Sequence, residues 1–433
     1  MVSLGCPKNL TDSEAMAGTL AAAGYELTDD ERQADIALIN TCAFLSAAVR
    51  ESEAEIGRFL ALKKTGSIKA VIAAGCLGER LKDELLRRFP GLDAVVGVNA
   101  LDKVAEALRG KKTVIPRLTG KFRLPVHKVR LTAPHSAYLK IADGCDNRCA
   151  YCLIPDLRGP FRSKPMQAVI EEAGNLVSSG AKEISLIAQD TTSYGADLYG
   201  KPRLFELLKG LVGIKGLLWL RLMYVYPEKL TGDILALMRE RGSICRYVDM
   251  PLQHISDNVL KKMNRRSSER SIRSKIAELR LAMPDIAIRT NFIVGFPGET
   301  GEDFEKLEKF VRETRFDNLG VFKYSPEKGT PAASAAAQVP QEVKDARFKR
   351  LVAAQSLAVD NLNAGLKGKT LSVLMDSAFF GRTYRDAPDI DGRVEIIKGA
   401  ARAKPDLKAG DFVSVKITGA SGYTRRGTVI PTT

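Results

Sequence analysis

Short apolar segments alternate with amphipathic ones along most of the chain. In the first hundred residues, apolar runs at 1–4, 36–40 and 70–74 each lead into a helical stretch, at 13–23, 47–64 and 78–89. Strand followed by helix, repeated, predicts a parallel sheet with helices on its faces. Residues 116–134 carry scattered prolines and basic residues and read as a linker. From Ser136 the alternation resumes, with strands expected at 137–142, 183–188, 218–226, 246–251, 286–294 and 318–324, and helices at 166–179, 228–241, 258–283 and 301–314. Six βα units in tandem predict an incomplete parallel barrel. Residues 328–340, rich in Gly, Pro, Ala and Ser, read as a connector, and 341–366 as one long helix. After Gly368 the pattern changes to short strands at 371–376, 392–397, 412–418 and 427–430, which predicts a small β-barrel of the oligonucleotide-binding type. The expected fold is therefore α/β and multidomain. It has an N-terminal parallel βα domain over 1–115, an incomplete (βα)6 barrel with its trailing helix over 135–366, and a C-terminal small β-barrel over 367–433.

Composition narrows the class. Hydrophobic content of 45% and charged content of 27% are those of a soluble globular chain. No apolar stretch reaches transmembrane length, and residues 1–6 do not read as a signal peptide. The expectation is a cytoplasmic protein with no membrane partner, where thiols stay reduced. Lysine and arginine exceed aspartate and glutamate by 66 − 51 = 15. That excess points to an anionic partner such as RNA or a ribosome; the alternative is a solvated basic surface without a specific target.

The seven cysteines carry the strongest chemical signal. Cys145, Cys149 and Cys152 stand in the loop Gly-Cys-Asp-Asn-Arg-Cys-Ala-Tyr-Cys at 144–152, a C-x₃-C-x₂-C run. Three thiolates hold three corners of a 4Fe-4S cube and leave one iron without a protein ligand, open to chemistry. Zinc is the alternative. A structural zinc wants four ligands, no second cysteine pair follows, and the fourth would have to be His135, ahead of the loop. A disulfide framework fits poorly, because a chain of this length buries a large core without staples and the cysteine count is odd. The loop follows the first strand of the expected barrel, on the face where barrels place their active sites.

A second triad is topological. Cys6, Cys42 and Cys76 each follow the apolar run of one N-terminal unit, 36 and 34 residues apart. Parallel strands share one C-terminal edge, so the three are expected to converge. The alternative is three buried structural cysteines.

The 144–152 loop resembles the signature of radical S-adenosylmethionine (SAM) enzymes. In that family the amine and carboxylate of SAM chelate the open iron. An electron then splits the sulfonium, and the resulting 5′-deoxyadenosyl radical takes hydrogen from an unactivated carbon. On this resemblance Tyr151 matches the aromatic residue near the adenine, with ordinary packing as its alternative. Residues 293–299, Ile-Val-Gly-Phe-Pro-Gly-Glu, are similar to the family's adenosine-contact strand. There Gly295 permits close backbone approach, and Glu299 is either a contact or the start of the next helix.

The order of a three-cysteine domain, a radical SAM barrel and a TRAM-type barrel resembles the methylthiotransferases over almost the whole chain. The resemblance implies two 4Fe-4S clusters, the second on Cys6, Cys42 and Cys76, together with SAM and an electron donor such as flavodoxin or ferredoxin. It further implies that one SAM methylates sulfur at the second cluster while another yields the radical. Residues 3–9 (Ser-Leu-Gly-Cys-Pro-Lys-Asn), 188–195 (Ala-Gln-Asp-Thr-Thr-Ser-Tyr-Gly) and 224–227 (Tyr-Val-Tyr-Pro) resemble one branch in particular. That branch modifies the β-carbon of an aspartate in small-ribosomal-subunit protein twelve. The branch that modifies tRNA adenosine would show Gly-Gln-Asn-Val-Asn at the second segment.

Within that segment Gln189 is a candidate cofactor contact and Asp190 a candidate catalytic residue, whose alternative is a helix N-cap or turn. Hydrogen abstraction needs no ionised base, so no acid–base pair is sought. Arg158 and Arg162 either position carboxylates by bidentate bonds or are surface arginines. Arg425 and Arg426, at the tip of the last barrel, suggest contact with rRNA. Cys245, His127 and His254 fit no cluster spacing and read as structural, with His254 close to the expected pocket. Gly368-Lys369-Thr370 lacks the upstream glycine of a phosphate loop. The remaining alternatives are tRNA methylthiolation and a non-catalytic iron–sulfur RNA-binding module.

Overall fold

Strands β1 (Val2–Ser3), β2 (Ile36–Thr41), β3 (Ala70–Gly75), β4 (Ala94–Val96) and β5 (Thr113–Val114) pair in chain order into an all-parallel sheet. The structure is a computed structural model that describes residues 1–118, 120–397 and 406–430; the expected end of the third domain at 433 lies outside them. Between the strands run α1 (Pro7–Ala22), α2 (Ser46–Lys64), the short α3 (Cys76–Leu81) and α4 (Asp83–Arg88), and α5 (Val104–Leu108). The sheet carries apolar side chains on both faces, as a parallel sheet must. The pattern of residues missed β4, α5 and β5, which are too short for periodicity to show. It also placed the start of α1 at Ser13 rather than Pro7. The first turns of α1 bury Lys8, Asn9, Asp12, Ser13 and Glu14, so no apolar stripe marks them. The expected helix 78–89 is broken at Lys82, whose φ is +51°.

The second sheet begins with β6 (Ser136–Lys140). A hairpin of β7 (Ala142–Asp143) and β8 (Arg162–Ser163) then brackets the 144–152 loop and α6 (Ile154–Arg158). There follow α7 (Met166–Ser178), β9 (Glu183–Ile187), α8 (Ala196–Tyr199), α9 (Leu204–Leu211), β10 (Trp219–Leu222), α10 (Gly232–Glu240) and β11 (Ile244–Asp249). The domain continues through α11 (Asp257–Lys262), α12 (Glu269–Ala282), β12 (Ala287–Val294), α13 (Gly301–Thr314), β13 (Asn318–Lys323) and α14 (Gln341–Ala364). The six long-sheet strands, β6 and β9 to β13, are all parallel and stand in chain order, which is the partial barrel expected. Its outer face buries Leu139, Leu186, Leu220, Val248 and Ile288 against the helices, in the largest apolar core of the molecule. Two boundaries differ from expectation. The strand expected over 218–226 stops at Leu222, because Tyr224 takes φ +58°. The helix expected over 258–283 breaks at Asn264 (φ +57°) and restarts with a Ser268/Ser271 capping box.

Strands β14 (Thr370–Met375), β15 (Phe380–Arg382), β16 (Arg393–Ile396), β17 (Phe412–Ser421) and β18 (Thr424–Ile430) close into a barrel of order β14-β15-β16-β18-β17. This barrel packs on the concave side of the parallel sheet. Tyr138, Trp219, Tyr247 and Ala287 meet Leu374, Ala387 and Phe412 there. The same surface is laced with buried ion pairs: Glu183 with Arg221 (2.9 Å) and Arg382 (2.6 Å), and Arg289 with Asp249 (2.9 Å) and Asp391 (3.1 Å). Arg425 is buried against Asp386 at 2.8 Å, so of the two tip arginines only Arg426 faces solvent. Arg425 is thus part of the core of its own domain and is not offered at the tip.

The N-terminal sheet is fastened to the partial barrel by charge. Arg158, at the end of α6, donates to Asp143 at 3.1 and 3.2 Å, to Asp12 at 2.9 Å and to Asn9 at 2.7 Å. Lys140 of β6 pairs with the same Asp12. All four charged groups are buried, and their charges cancel. Burial alone would raise the Asp143 carboxyl, but Arg158, Lys140 and Arg162 hold it far below the ordinary carboxylate range. Arg158 and Arg162 are thus neither surface arginines nor free clamps. Arg158 spends its fork on protein carboxylates, and Arg162 donates to the Arg158 carbonyl at 2.8 Å.

Two outcomes are expected. Arg158→Met leaves two buried carboxylates short of a partner and should lower stability by roughly 3–5 kcal/mol in urea denaturation; a loss below 1 kcal/mol would contradict the network. Burial pushes the Asp391 carboxyl up to about 6, against the pull of Arg289. The folded state then keeps a proton that the unfolded chain has released between pH 4 and 6, so this group's contribution to stability falls as pH rises through that window. The stability of wild type relative to Asp391→Asn should decline across it, and a flat difference would refute the assignment.

Candidate functional site

The C-terminal edges of both parallel sheets face a single cavity of about 430 Å³, lined by all six cysteines of the two triads. Cys6 is the residue before α1, Cys42 follows β2, and Cys76 opens α3 directly after β3. Gly5 makes the first two compatible: at φ +92°, a Cβ on it would come within 2.8 Å of Cys42 Cβ. Asn9 ties the edge together, donating to the carbonyls of Leu4 and Thr41 at 3.0 Å each. The Cys76 sulfur lies 3.7 Å from Asn9 Oδ1 and 3.6 Å from Arg158 Nη2.

The 144–152 loop is held from three sides. Its Cys145 N–H donates to the Gly159 carbonyl at 3.1 Å, and Ala150 N–H to the Met263 carbonyl at 3.0 Å. Asn147 Nδ2 donates to Cys145 Sγ at 3.4 Å and to Asp190 at 3.0 Å. Ile154 N–H points at Cys152 Sγ from 3.4 Å, and the Tyr226 hydroxyl sits 3.9 Å from Cys149 Sγ. Burial pushes the Cys76 and Cys152 thiols up to about 12 and raises those of Cys42 and Cys145. Buried thiols of this kind remain protonated near neutrality unless a metal takes the proton's place.

The other expected site residues separate into two groups. Tyr151 and Gln189 line the cavity. Tyr151 stands edge-on to Phe296, with ring centroids 6.4 Å apart. Gln189 donates to Asp143 at 3.0 Å, and its buried Oε1 has no partner among the described residues. Gly295, Glu299 and Asp190 do not line the cavity. A Cβ on Gly295 (φ +73°) would run into the Lys344 stem, so its small size serves the packing of α14. Glu299 accepts from the Gly295 and Phe296 N–H groups and shapes the turn after β12. Asp190 caps the short turn Thr191–Ser193 and pairs with Lys229 at 2.6 Å. Burial would raise the Asp190 carboxyl, yet Lys229 and its hydrogen bonds hold it below the ordinary range.

His135 pairs with Asp376 at 2.9 Å and does not line the cavity, so the fourth ligand that a zinc reading needed does not stand beside the thiols. His254 accepts from Ser256 N–H at 2.9 Å and, like Cys245, is buried away from the cavity. Among the cavity residues without an assigned role in the pattern of residues are Tyr226, Arg265 and Asn291. Tyr226 stood inside the Tyr-Val-Tyr-Pro segment, which was a usable signal. Arg265 lies over the Tyr226 ring at 4.3 Å, and the buried Oδ1 of Asn291 has no partner among the described residues. Neither carries a local signature, since only the fold brings them to the cavity.

No helix among the described residues is long and apolar enough to cross a membrane. Residues 1–97 match the family model described as uncharacterized protein family UPF0004, residues 139–311 the radical SAM superfamily, and residues 368–430 the TRAM domain. Among solved structures, a radical SAM methyltransferase, TsrM from Kitasatospora setae, superposes with a TM-score of 0.52 at 16% identity, over 77% of this chain and 71% of that one; the likeness is one of fold. Ribosomal protein uS12 methylthiotransferase RimO of Elusimicrobium minutum is 52% identical over 99% of both chains. The proteins of the same name from Pelotomaculum thermopropionicum and Geobacter sulfurreducens are each 45% identical over 99% of this chain and 98% of their own. Two converging cysteine triads, the three matched domains and full-length relatives at this identity agree that the chain belongs to the RimO family of radical SAM methylthiotransferases.

Proposed function

We propose that this chain transfers a methylthio group to the β-carbon of an aspartate in the ribosomal protein uS12. In this reading Cys145, Cys149 and Cys152 hold one 4Fe-4S cluster, and Cys6, Cys42 and Cys76 hold another. The observation that carries it is the sharing of one cavity by both triads, in a chain whose relatives bear that activity in their name along their whole length.

The donor sets fit such groups. Each triad offers soft thiolates and no fourth cysteine at the cavity, which leaves one metal position open. When bound, the clusters and SAM supply hydrogen-atom abstraction and the transferable sulfur. The chain supplies position. Gln189 Oε1 and Asn291 Oδ1, both buried and without a partner among the described residues, are acceptors for the polar groups of SAM. Tyr151 and the Arg265–Tyr226 stack wall the same end and keep water from it. Asp190 acts through Asn147 as a positioning residue, holding the amide that donates to Cys145.

Anaerobically reconstituted protein, with SAM and a reductant, should add one methylthio group to uS12 and none to tRNA, as read by mass spectrometry. A gain on tRNA alone, or no 5′-deoxyadenosine at all, would overturn the reading. Cys145→Ala should lose about half of the iron and abolish 5′-deoxyadenosine formation, whereas Cys6→Ala should lose a similar share of iron and keep it. Asp190→Ala should lower iron occupancy at the 144–152 triad only, visible as a reduced cluster signal in Cys6→Ala protein. An unchanged signal would restore a direct role for its carboxylate.

A further inference from the structure

Three cations line the cavity without a carboxylate partner among the described residues: Lys8, Arg148 and Arg265. They are not equivalent. Arg148 is exposed on the 144–152 loop. Arg265 donates to the Pro251 carbonyl at 2.8 Å and stacks on Tyr226, whose hydroxyl neighbours Cys149. It belongs to the end of the cavity where that triad sits. Lys8 is at the other end, two residues beyond Cys6 in the first turn of α1, and only 8% exposed.

The Lys8 ammonium is aimed rather than loose. Its Nζ stands 3.1 Å from the centre of the Tyr224 ring. That ring is fixed by its backbone: Tyr224 has φ +58°, its N–H donates to Asp249 at 3.2 Å, and its carbonyl accepts from Thr191 N–H at 3.2 Å. A non-glycine residue held in the left-handed region at a cavity wall marks a position where geometry is being specified. The carboxylate of Asp249 is already occupied by Arg289 and by the Tyr224 N–H. Cys6, Asp249 and Asp143 favour the ammonium only from a distance, and among the described residues no carboxylate pairs with it directly; a ligand carboxylate in the cavity supplies that direct counter-charge.

We propose that Lys8 binds the side-chain carboxylate of the substrate aspartate and so places its β-carbon between the two triads. The inference rests on the substrate reading above and adds the residue that makes the site selective for aspartate. An ammonium offered to a carboxylate rejects the neutral amide of asparagine, because the charge then stays buried and unpaired.

The test is binding of uS12 to the reconstituted enzyme, read by titration calorimetry. It compares wild type, Lys8→Met and Lys8→Arg, each with native uS12 and with uS12 whose modified aspartate is replaced by asparagine. Wild type should prefer the aspartate form by about tenfold. Lys8→Met should lose the preference, and Lys8→Arg should regain part of it. A preference that survives intact in Lys8→Met overturns this assignment while leaving the substrate reading in place. Loss of iron from the Cys6 triad in Lys8→Met also overturns it, since Lys8 would then serve the cluster. Failure of wild type to bind uS12 sinks the substrate reading, and this inference with it.

Discussion

One guanidinium joins the parts on which this molecule depends. Arg158 leaves the barrel six residues after Cys152 and crosses to Asp12 of the N-terminal helix. On the way it touches the Cys76 sulfur and holds Asp143, which in turn holds Gln189 in the cavity wall. Removing such charges from water is costly, so their contribution to stability is small for their number. What they contribute is registry. An apolar interface tolerates sliding by a fraction of an ångström, whereas a planar fork against two fixed carboxylates does not. Two triads from two separate sheets can face each other across one cavity only if the sheets keep one relative position.

The division between what the residue pattern showed and what it hid follows from this. Regular elements with an apolar stripe were legible, and α13 over Gly301–Thr314 begins and ends where periodicity placed it. The convergence of Cys6, Cys42 and Cys76 was legible from topology alone, because parallel strands put their C-terminal ends on one edge. The start of α1 was hidden for the same reason that it matters: its buried face is polar, built from Lys8, Asn9 and Asp12 rather than leucines. Gly295 lies against the Lys344 stem of α14 and Glu299 braces the turn after β12, and a glycine demanded by packing and one demanded by a cofactor look alike in a string of letters. Arg265 and Asn291 reach the cavity from distant strands and loops, and no spacing rule announces them.

The concave side of the partial barrel shows a second departure from ordinary patterning. Its outer face is conventional, with aliphatic residues against helices. Its inner face carries Tyr138, Glu183, Arg221, Tyr247 and Arg289, which find partners in the C-terminal barrel: Pro388, Arg382, Tyr384, Asp391 and again Asp391. The small barrel is thus less an appended module than the stopper of a half-open vessel.

That stopper constrains how such a chain can change. Glu183 and Arg289 are each matched by a charge across the seam, Arg382 and Asp391, and Arg221 by the Tyr384 carbonyl, so a substitution on either side strands its counterpart in a dry interior. Swapping the last sixty-odd residues (about 60, the size of a small independent domain) for those of a distant relative would carry the partner side chains away. A carboxy-terminal barrel with other side chains at these positions would need Glu183, Arg221 and Arg289 changed in step, so the two regions are expected to drift together rather than to be shuffled as interchangeable cassettes.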